Sequence, residues 1–390
     1  MKRSVLFLTN AFPDFSSSYR GIFIQKMASL LQTEGYRISV VTPKIYDGSP
    51  YLENQNGIKV YRFPFFAGNK LLIEYKKVPY LKMVLYYLTG LFLTSYVLFK
   101  NRCSLIHAHW AIPTGLIGAL VGGVLRKPLV VTIHGSDLRM AMESSGLIRK
   151  LFIFVSKRAA HVNCVSKAQE EENQQLGIPR GKMSTFPMGV EETFLEAGRN
   201  RERISGKKPF TILSNRNLLP IYNVSLLIRA IPMVLKEEPA TKFLIAGEGA
   251  EKESLEEEAR NLRVSSSVQF LGRVPHQQMP HLLSRADLYV STSLSDGTSV
   301  SLLEAMAVGS FPVITDILAN REWVTDGENG FLVSTENEDA LARRIIDAMH
   351  NQTLLERARE KNCEIVREKA FLRKTIQRMA EIYEHSLHCR

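Results

Sequence analysis

Short apolar, β-rich runs alternating with helix-length segments constrain this chain more than any other feature. One set of runs falls at 5–8, 38–42, 59–63, 105–108, 129–133 and 161–165, and a second at 210–213, 242–245, 268–270, 288–290, 311–314 and 330–333. Segments of helical period lie between them, among them 22–32, 166–176, 225–235, 254–262, 276–284, 301–307 and 339–350. Repeated βα order builds a parallel sheet covered on both faces, and ligands of such sheets collect at the carboxyl ends of the strands. The pattern lapses only around 191–209. A chain of 390 residues is long enough for two cores, so the expectation is two doubly wound α/β domains facing each other across a cleft.

Charge and cysteine usage narrow the class. The first 190 residues carry 24 Lys and Arg against 10 Asp and Glu, a balance of +14, while the remainder is slightly acidic. A basic first half points to an anionic partner such as a bilayer surface or a phosphorylated substrate. Dispersed basic residues without a zinc-finger, KH or lysine-rich arm pattern argue against nucleic acid. Cys103, Cys164, Cys363 and Cys389 stand singly, which excludes a disulfide scaffold and a cysteine zinc site and fits reduced thiols in the cytoplasm. After Lys82 come seventeen uncharged residues, 83–99, preceded also by Lys76 and Lys77. This run is compatible with a buried helix, a helix lying on an anionic leaflet, or a short span. Peripheral contact with the inner face of the cell membrane is the expectation.

The most informative segment is 291–309, Ser-Thr-Ser-Leu-Ser-Asp-Gly-Thr-Ser-Val-Ser-Leu-Leu-Glu-Ala-Met-Ala-Val-Gly. A strand runs through small residues into a helix starting near Thr298 or Ser299, whose unpaired N–H groups and macrodipole suit a phosphate. Asp296 and Glu304 would repel that phosphate and better accept hydrogen bonds from flanking hydroxyls; the alternative is that Asp296 caps the helix and Glu304 forms a surface ion pair.

This segment resembles the signature of glycosyltransferase family 4, retaining sugar-nucleotide enzymes of GT-B fold, with Asp296 in place of the first of two spaced glutamates and Glu304 matching the second. The resemblance runs through His107-Ala-His109, Ile133-His134-Gly135-Ser-Asp137, Cys164-Val-Ser-Lys167, Pro187-Met-Gly-Val-Glu191, Ile245-Ala-Gly-Glu-Gly249, Phe270-Leu-Gly-Arg-Val274 and Gly327-Glu-Asn-Gly330. It implies an acceptor-binding domain over 1–192 with a last helix, 371–390, packing back on it, and a donor-binding domain over 205–370. It further implies a hexosyltransferase-like activity (EC 2.4) that uses a nucleoside-diphosphate sugar and a glycan or lipid-linked acceptor in polysaccharide assembly. No resident cofactor or metal is implied, and a need for a divalent ion is left open. A non-catalytic family member acting as a binding partner is the alternative.

By the same resemblance, Glu304 holds the ribose hydroxyls, Asp296 the sugar hydroxyls, and Gly297, Thr298, Ser299 and Val300 contact sugar and diphosphate. His134 lies near the transferred sugar, and Arg216 meets the diphosphate. His134, Arg216 and Asp296 form the catalytic set. The family places a lysine shortly after the arginine; here Tyr222 stands in its place, and a lysine at 222 is expected to raise donor affinity modestly. Arg273 or Arg20 could compensate for the missing base. Gly21 belongs to the loop that approaches the donor phosphates, in 16–25. Arg20, His109 and Asp137 are placed on the acceptor side. His107 and His109 are expected on opposite faces of their strand, with only His109 in the site.

Overall fold

In the computed structural model the described residues are 3–15, 18, 20–66, 68–70, 79–144, 146–201 and 209–388. Ser16, Ser17, Tyr19, Lys76, Lys77, part of the 191–209 linker (202–208) and Cys389 lie outside them.

The chain divides into two units, Met1–Met188 with Arg373–Arg390, and Gly189–Leu372. The first contains strands β1 (Ser4–Leu8), β2 (Arg37–Lys44), β3 (Leu52–Gln55), β4 (Ile58–Pro64), β5 (Leu105–His109), β6 (Leu129–Ile133), β7 (His161–Cys164) and β8 (Met183–Thr185). Its helices are α1 (Ile22–Thr33), α2 (Tyr80–Lys100), α3 (Leu116–Val124), α4 (Ser136–Glu143), α5 (Leu147–Arg158) and α6 (Lys167–Gln175). The second unit begins with α7 (Glu192–Arg199), followed by β9 (Thr211–Ser214), α8 (Val224–Glu237), β10 (Lys242–Ala246), α9 (Lys252–Asn261), β11 (Val268–Gly272) and α10 (Met279–Ser284). It continues through β12 (Leu288–Ser291), α11 (Val300–Ala307), β13 (Phe311–Thr315), α12 (Leu318–Arg321), β14 (Phe331–Val333), α13 (Glu338–Met349) and α14 (Gln352–Lys369). The last helix, α15 (Leu372–His388), belongs to the first unit from Arg373 onward.

The second sheet runs β11-β10-β9-β12-β13-β14, every pair parallel. The first runs β3-β4-β2-β1-β5-β6-β7-β8, parallel apart from the antiparallel edge hairpin β3–β4. Strand order therefore reverses between β9 and β12 in one sheet and between β1 and β5 in the other, the switch points where loops diverge and ligands enter. The central strands are apolar on both faces: β1, β6 and β13 are buried along their whole length, as parallel strands sandwiched by helices must be.

Helix α2 takes up the 83–99 run. Its inner edge enters the first core through Tyr86, Val97 and Leu98, while Leu81, Leu88, Phe92 and Phe99 stand in solvent on the other side, Leu81 at 89% exposure. By length and composition it is sufficient to cross a bilayer, yet 28% of its apolar window is buried in protein.

Candidate active site

Around the second unit's switch point, the loop after β9 carries Arg216 and the loop after β12 carries Asp296, Gly297, Thr298 and Ser299. Ser299 is the N-cap of α11, its hydroxyl accepting from the Leu302 N–H at 3.2 Å; Asp296 is not the cap. Arg216, buried, donates from Nη1 to the same Ser299 hydroxyl at 2.6 Å and from Nη2 to Asp296 Oδ2 at 2.5 Å. Asp296 Oδ1 accepts from the Gly297 N–H at 2.9 Å. Burial is the largest influence and opposes the arginine's charge, but the Asp296 carboxylate together with Tyr222 and Tyr289 outweighs it and raises the pKa above its ordinary value. Among the described residues the Arg216 Nε–H is buried without a partner, a donor left for an anion.

Two glycines hold the Arg216 loop in place. A Cβ on Gly247 would lie 2.2 Å from the Arg216 carbonyl oxygen, and one on Gly249 would lie 2.1 Å from that of Leu218. The Leu218 N–H donates to the Glu248 carbonyl at 3.0 Å and the Glu251 N–H donates to the Leu218 carbonyl at 3.0 Å. The Gly-Glu-Gly sequence after β10 thus lets one loop lie against another with no side chain between.

Tyr222 lies over this arginine, its ring centroid 4.3 Å from the guanidinium carbon. The Thr292 hydroxyl pins the turn beneath, donating to the carbonyls of Tyr222 and Asn223 at 3.1 and 2.8 Å. The sequence treats Tyr222 as a lost lysine; the structure makes it the π-face of a stacked cation, which reverses the expected effect of a lysine there.

Glu304 is buried rather than part of a surface ion pair. Its Oε1 is 4.0 Å from His276 Nδ1, and His276 Nε2 is hydrogen-bonded to Glu191 Oε1 at 2.8 Å. Glu191 therefore joins a carboxylate–imidazole–carboxylate chain. Sequence reasoning missed His276, which sits in a short turn outside every quoted motif. Val300 opens α11, and Thr298 is half-buried beside it.

In the first unit the histidine expectation is corrected. Residues two apart on a strand share a face, and the His107 and His109 rings lie 4.3 Å apart. Both are fully buried. His107 bonds the Tyr383 hydroxyl through Nδ1 at 2.6 Å and the Thr132 hydroxyl through Nε2 at 2.8 Å. His109 Nδ1 meets His134 Nε2 at 3.1 Å. His134, at the carboxyl end of β6, is flanked by Trp110 and Phe23, with ring centroids 4.4 and 5.3 Å away. Burial pushes the His107 and His134 pKa values down to about 3, with His134 adding to the effect on His107.

Asp137 is buried, its carboxylate turned to the backbone. Its carboxylate accepts from Ala111 N–H at 2.6 Å and Gly135 N–H at 3.2 Å, tying the loop after β5 to the loop after β6. Desolvation pushes its pKa up to about 6 against those bonds. Arg20 is likewise engaged: Nε and Nη2 donate to the Asp14 carboxylate at 2.7 and 2.9 Å, and Nη1 donates to the Asn10 carbonyl. Buried Arg62 joins the cluster through Glu53 and the Pro13 carbonyl. Arg20 is thus not an uncommitted base that replaces the missing lysine. Gly21 has φ 67°, and a Cβ there would lie 2.2 Å from the Ala11 carbonyl oxygen. Among the described residues no group of three or more His, Cys, Asp or Glu is gathered as a metal ion would require.

Two family models match in tandem: Glycosyltransferase Family 4 over 21–194 and Glycosyl transferases group 1 over 198–364. The protein named as glycosyltransferase EpsD of Bacillus subtilis is 32% identical, over 86% of this chain and 85% of its own length. The Escherichia coli UDP-Gal:alpha-D-GlcNAc-diphosphoundecaprenol alpha-1,3-galactosyltransferase is 24% identical over 86% of this chain and 85% of that protein. In fold, Anabaena HepE, solved in complex with UDP and glucose, superposes with a TM-score of 0.76 at 18% identity, covering 98% of this chain and all of that one. Matched in both halves and along nearly its whole length, the chain belongs to the family 4 glycosyltransferases and has their GT-B fold of two Rossmann-like domains.

Proposed function

We propose that the protein moves a hexose or related sugar from a nucleoside-diphosphate sugar to a glycan or lipid-linked acceptor, with retention at the anomeric carbon. The observation that carries this reading is the Arg216–Asp296–Ser299 constellation at the second switch point, with a buried guanidinium N–H unsatisfied beside a helix N-terminus. Fixed donors aimed at a leaving diphosphate are the electrostatic term expected to dominate such a transfer. The second unit is then the donor domain: Glu304 takes the ribose hydroxyls, Asp296 the sugar hydroxyls, and Gly297, Thr298, Ser299 and Val300 line the sugar and diphosphate. Arg216 stabilises the departing diphosphate.

The first unit is the acceptor domain, and His134 contacts the transferred sugar. The acceptor hydroxyl attacks the face that the diphosphate leaves, and a phosphate oxygen takes its proton, so no side chain is needed as base. HepE bound to UDP and glucose and the Escherichia coli enzyme named for UDP-Gal and a diphosphoundecaprenol acceptor favour a sugar nucleotide and a lipid-linked acceptor.

The protein works in the cytoplasm at an anionic membrane surface. From residue 75 to 136 there is no Asp or Glu against seven Lys and Arg, and α2 carries its apolar stripe within that stretch. Nucleotide release over a panel of nucleoside-diphosphate sugars, with and without lipid extract, tests the reading. One sugar nucleotide should turn over fastest with lipid, giving a product of unchanged anomeric configuration by NMR. Inversion, or no turnover with any donor, would overturn it.

A further inference from the structure

We propose that His109 is a positioning residue that fixes the tautomer of His134, so that His134 meets its ligand as a hydrogen-bond donor through Nδ1. The catalytic consequence rests on the reading above that His134 touches the transferred sugar; the tautomer itself does not.

A neutral imidazole carries one N–H and one lone pair. Both rings are buried deeply enough to lose affinity for a second proton, with desolvation lowering the pKa of each. One proton therefore lies between His109 Nδ1 and His134 Nε2 at 3.1 Å, and two arrangements are open. If His134 donated, the His109 proton would sit on Nε2, an atom that is buried and, among the described residues, has no partner. If His109 donates, Nε2 carries only a lone pair. Orphaned buried N–H groups are rarer than under-satisfied acceptors. The surroundings of His109 give an N–H little to use: the Phe7 ring centroid is 5.1 Å away and the His107 ring lies tilted against it at 4.3 Å. His107 cannot redirect the bond, since both its nitrogens are spent on Tyr383 and Thr132. The second arrangement holds, and the proton of His134 resides on Nδ1.

Among the described residues that nitrogen has no hydrogen-bond partner and, unlike His109 Nε2, it is not one of the fully buried atoms left unpaired. The ring itself is packed between Trp110 and Phe23, both tilted against it, and Asp137 joins the loops after β5 and β6. A hydroxyl or phosphate oxygen can accept from such an N–H. The same atom cannot abstract a proton, consistent with a transfer in which the leaving phosphate serves as base.

The test is long-range 1H–15N correlation NMR of the full chain labelled in histidine nitrogen, together with steady-state kinetics. The wild-type spectrum should show His134 protonated at Nδ1 and bare at Nε2. An Nε2–H pattern or a tautomer average would overturn the proposal. In His109→Leu the donor is gone and His134 should take up Nε2–H, with kcat down roughly tenfold or more and KM for the sugar nucleotide changed less than about twofold. His109→Asn, whose side-chain amide can donate from near the Nδ1 position, should restore the spectrum and most of kcat. An unchanged His134 spectrum in His109→Leu would overturn the proposal. Should His134 carry the assigned tautomer while His134→Ala transfers sugar at the wild-type rate, the sugar-contact reading fails and the tautomer assignment is upheld.

Discussion

The Tyr222 ring covers one face of the Arg216 guanidinium, 4.3 Å from centroid to carbon, while Asp296 and Ser299 hold its edge. The cation is thereby fixed on three sides, and a lysine at 222 would bring a second positive charge against it. Tyr222→Lys should weaken binding of a free nucleoside diphosphate about tenfold or more, whereas Tyr222→Phe, which keeps the π-face, should stay within a few-fold. Calorimetry decides, and a gain in affinity for the lysine variant would refute the stacking role.

Arg216→Ala and Glu304→Ala should each lower transfer by about tenfold to a thousandfold, since on the proposed function each removes an anchor for the donor in the transition state. Arg216→Lys should fare little better, because an ammonium cannot reach Ser299 and Asp296 as a planar fork does. Asp296→Ala should act on sugar positioning more than on nucleotide binding. Wild-type rates in folded Arg216→Ala and Glu304→Ala proteins would remove the donor site from this loop pair.

Gly247→Ala tests how the arginine loop is held. Gly247 has φ 152° and an added Cβ would lie 2.2 Å from the Arg216 carbonyl oxygen, so two backbones must part. The expected cost is about 1–3 kcal/mol of stability, with donor affinity falling alongside. A denaturation midpoint equal to the wild type would show that the loops are free to separate.

Acid should loosen the first unit. His107, fully buried, has its pKa lowered to about 3 by desolvation, with His134 contributing. Between the ordinary value near 6.5 and that value, the unfolded chain binds a proton the folded chain refuses, so stability is complete above pH 6.5 and falls as pH drops. One pH unit below 6.5, His107 accounts for about 1.4 kcal/mol. Asp137, raised to about 6 by burial, works in the opposite direction, its contribution lost as pH climbs from about 4 to 6. Urea unfolding at pH 7.5 and 5.5 should show a larger loss for the wild type than for His107→Gln. Equal losses would mean that the histidine is not held neutral.

Vesicle flotation should find the protein on anionic but not neutral liposomes at low salt, with binding weakened at high salt. Replacing Leu88 and Phe92, both exposed on α2, by glutamate should abolish it. Retention through high salt and alkaline washing would indicate an inserted helix instead, and no binding at low salt would leave α2 without a membrane role.

The apolar runs mark most of the strands because buried parallel strands have no polar face to disguise them. Two strands escape this signal: β3 reads Leu-Glu-Asn-Gln at a sheet edge, exposed on alternate residues, and β8 is three half-buried residues. Helix α3 is apolar all round and rich in glycine, so no amphipathic period announces it; a Cβ on Gly118 would lie 2.9 Å from Leu129 Cδ1, which explains the small residues by close approach to the sheet. Arg216 and Asp296 were each visible within a motif, but their pairing spans 80 residues and no local pattern encodes it. The same holds for Tyr222, which looks like a loss until the guanidinium it covers is in view.

Helix α15 closes the first unit from the far end of the chain. Tyr383 reaches His107, 276 positions earlier, and packs edge-on against Tyr36, whose hydroxyl donates to Glu384 at 2.9 Å. On the ribosome, where domains generally fold as they emerge, His107 and Tyr36 must wait for their Tyr383 contacts until the entire second unit has been made. Assembly of this protein is therefore not vectorial: its earliest residues are finished by its last ones.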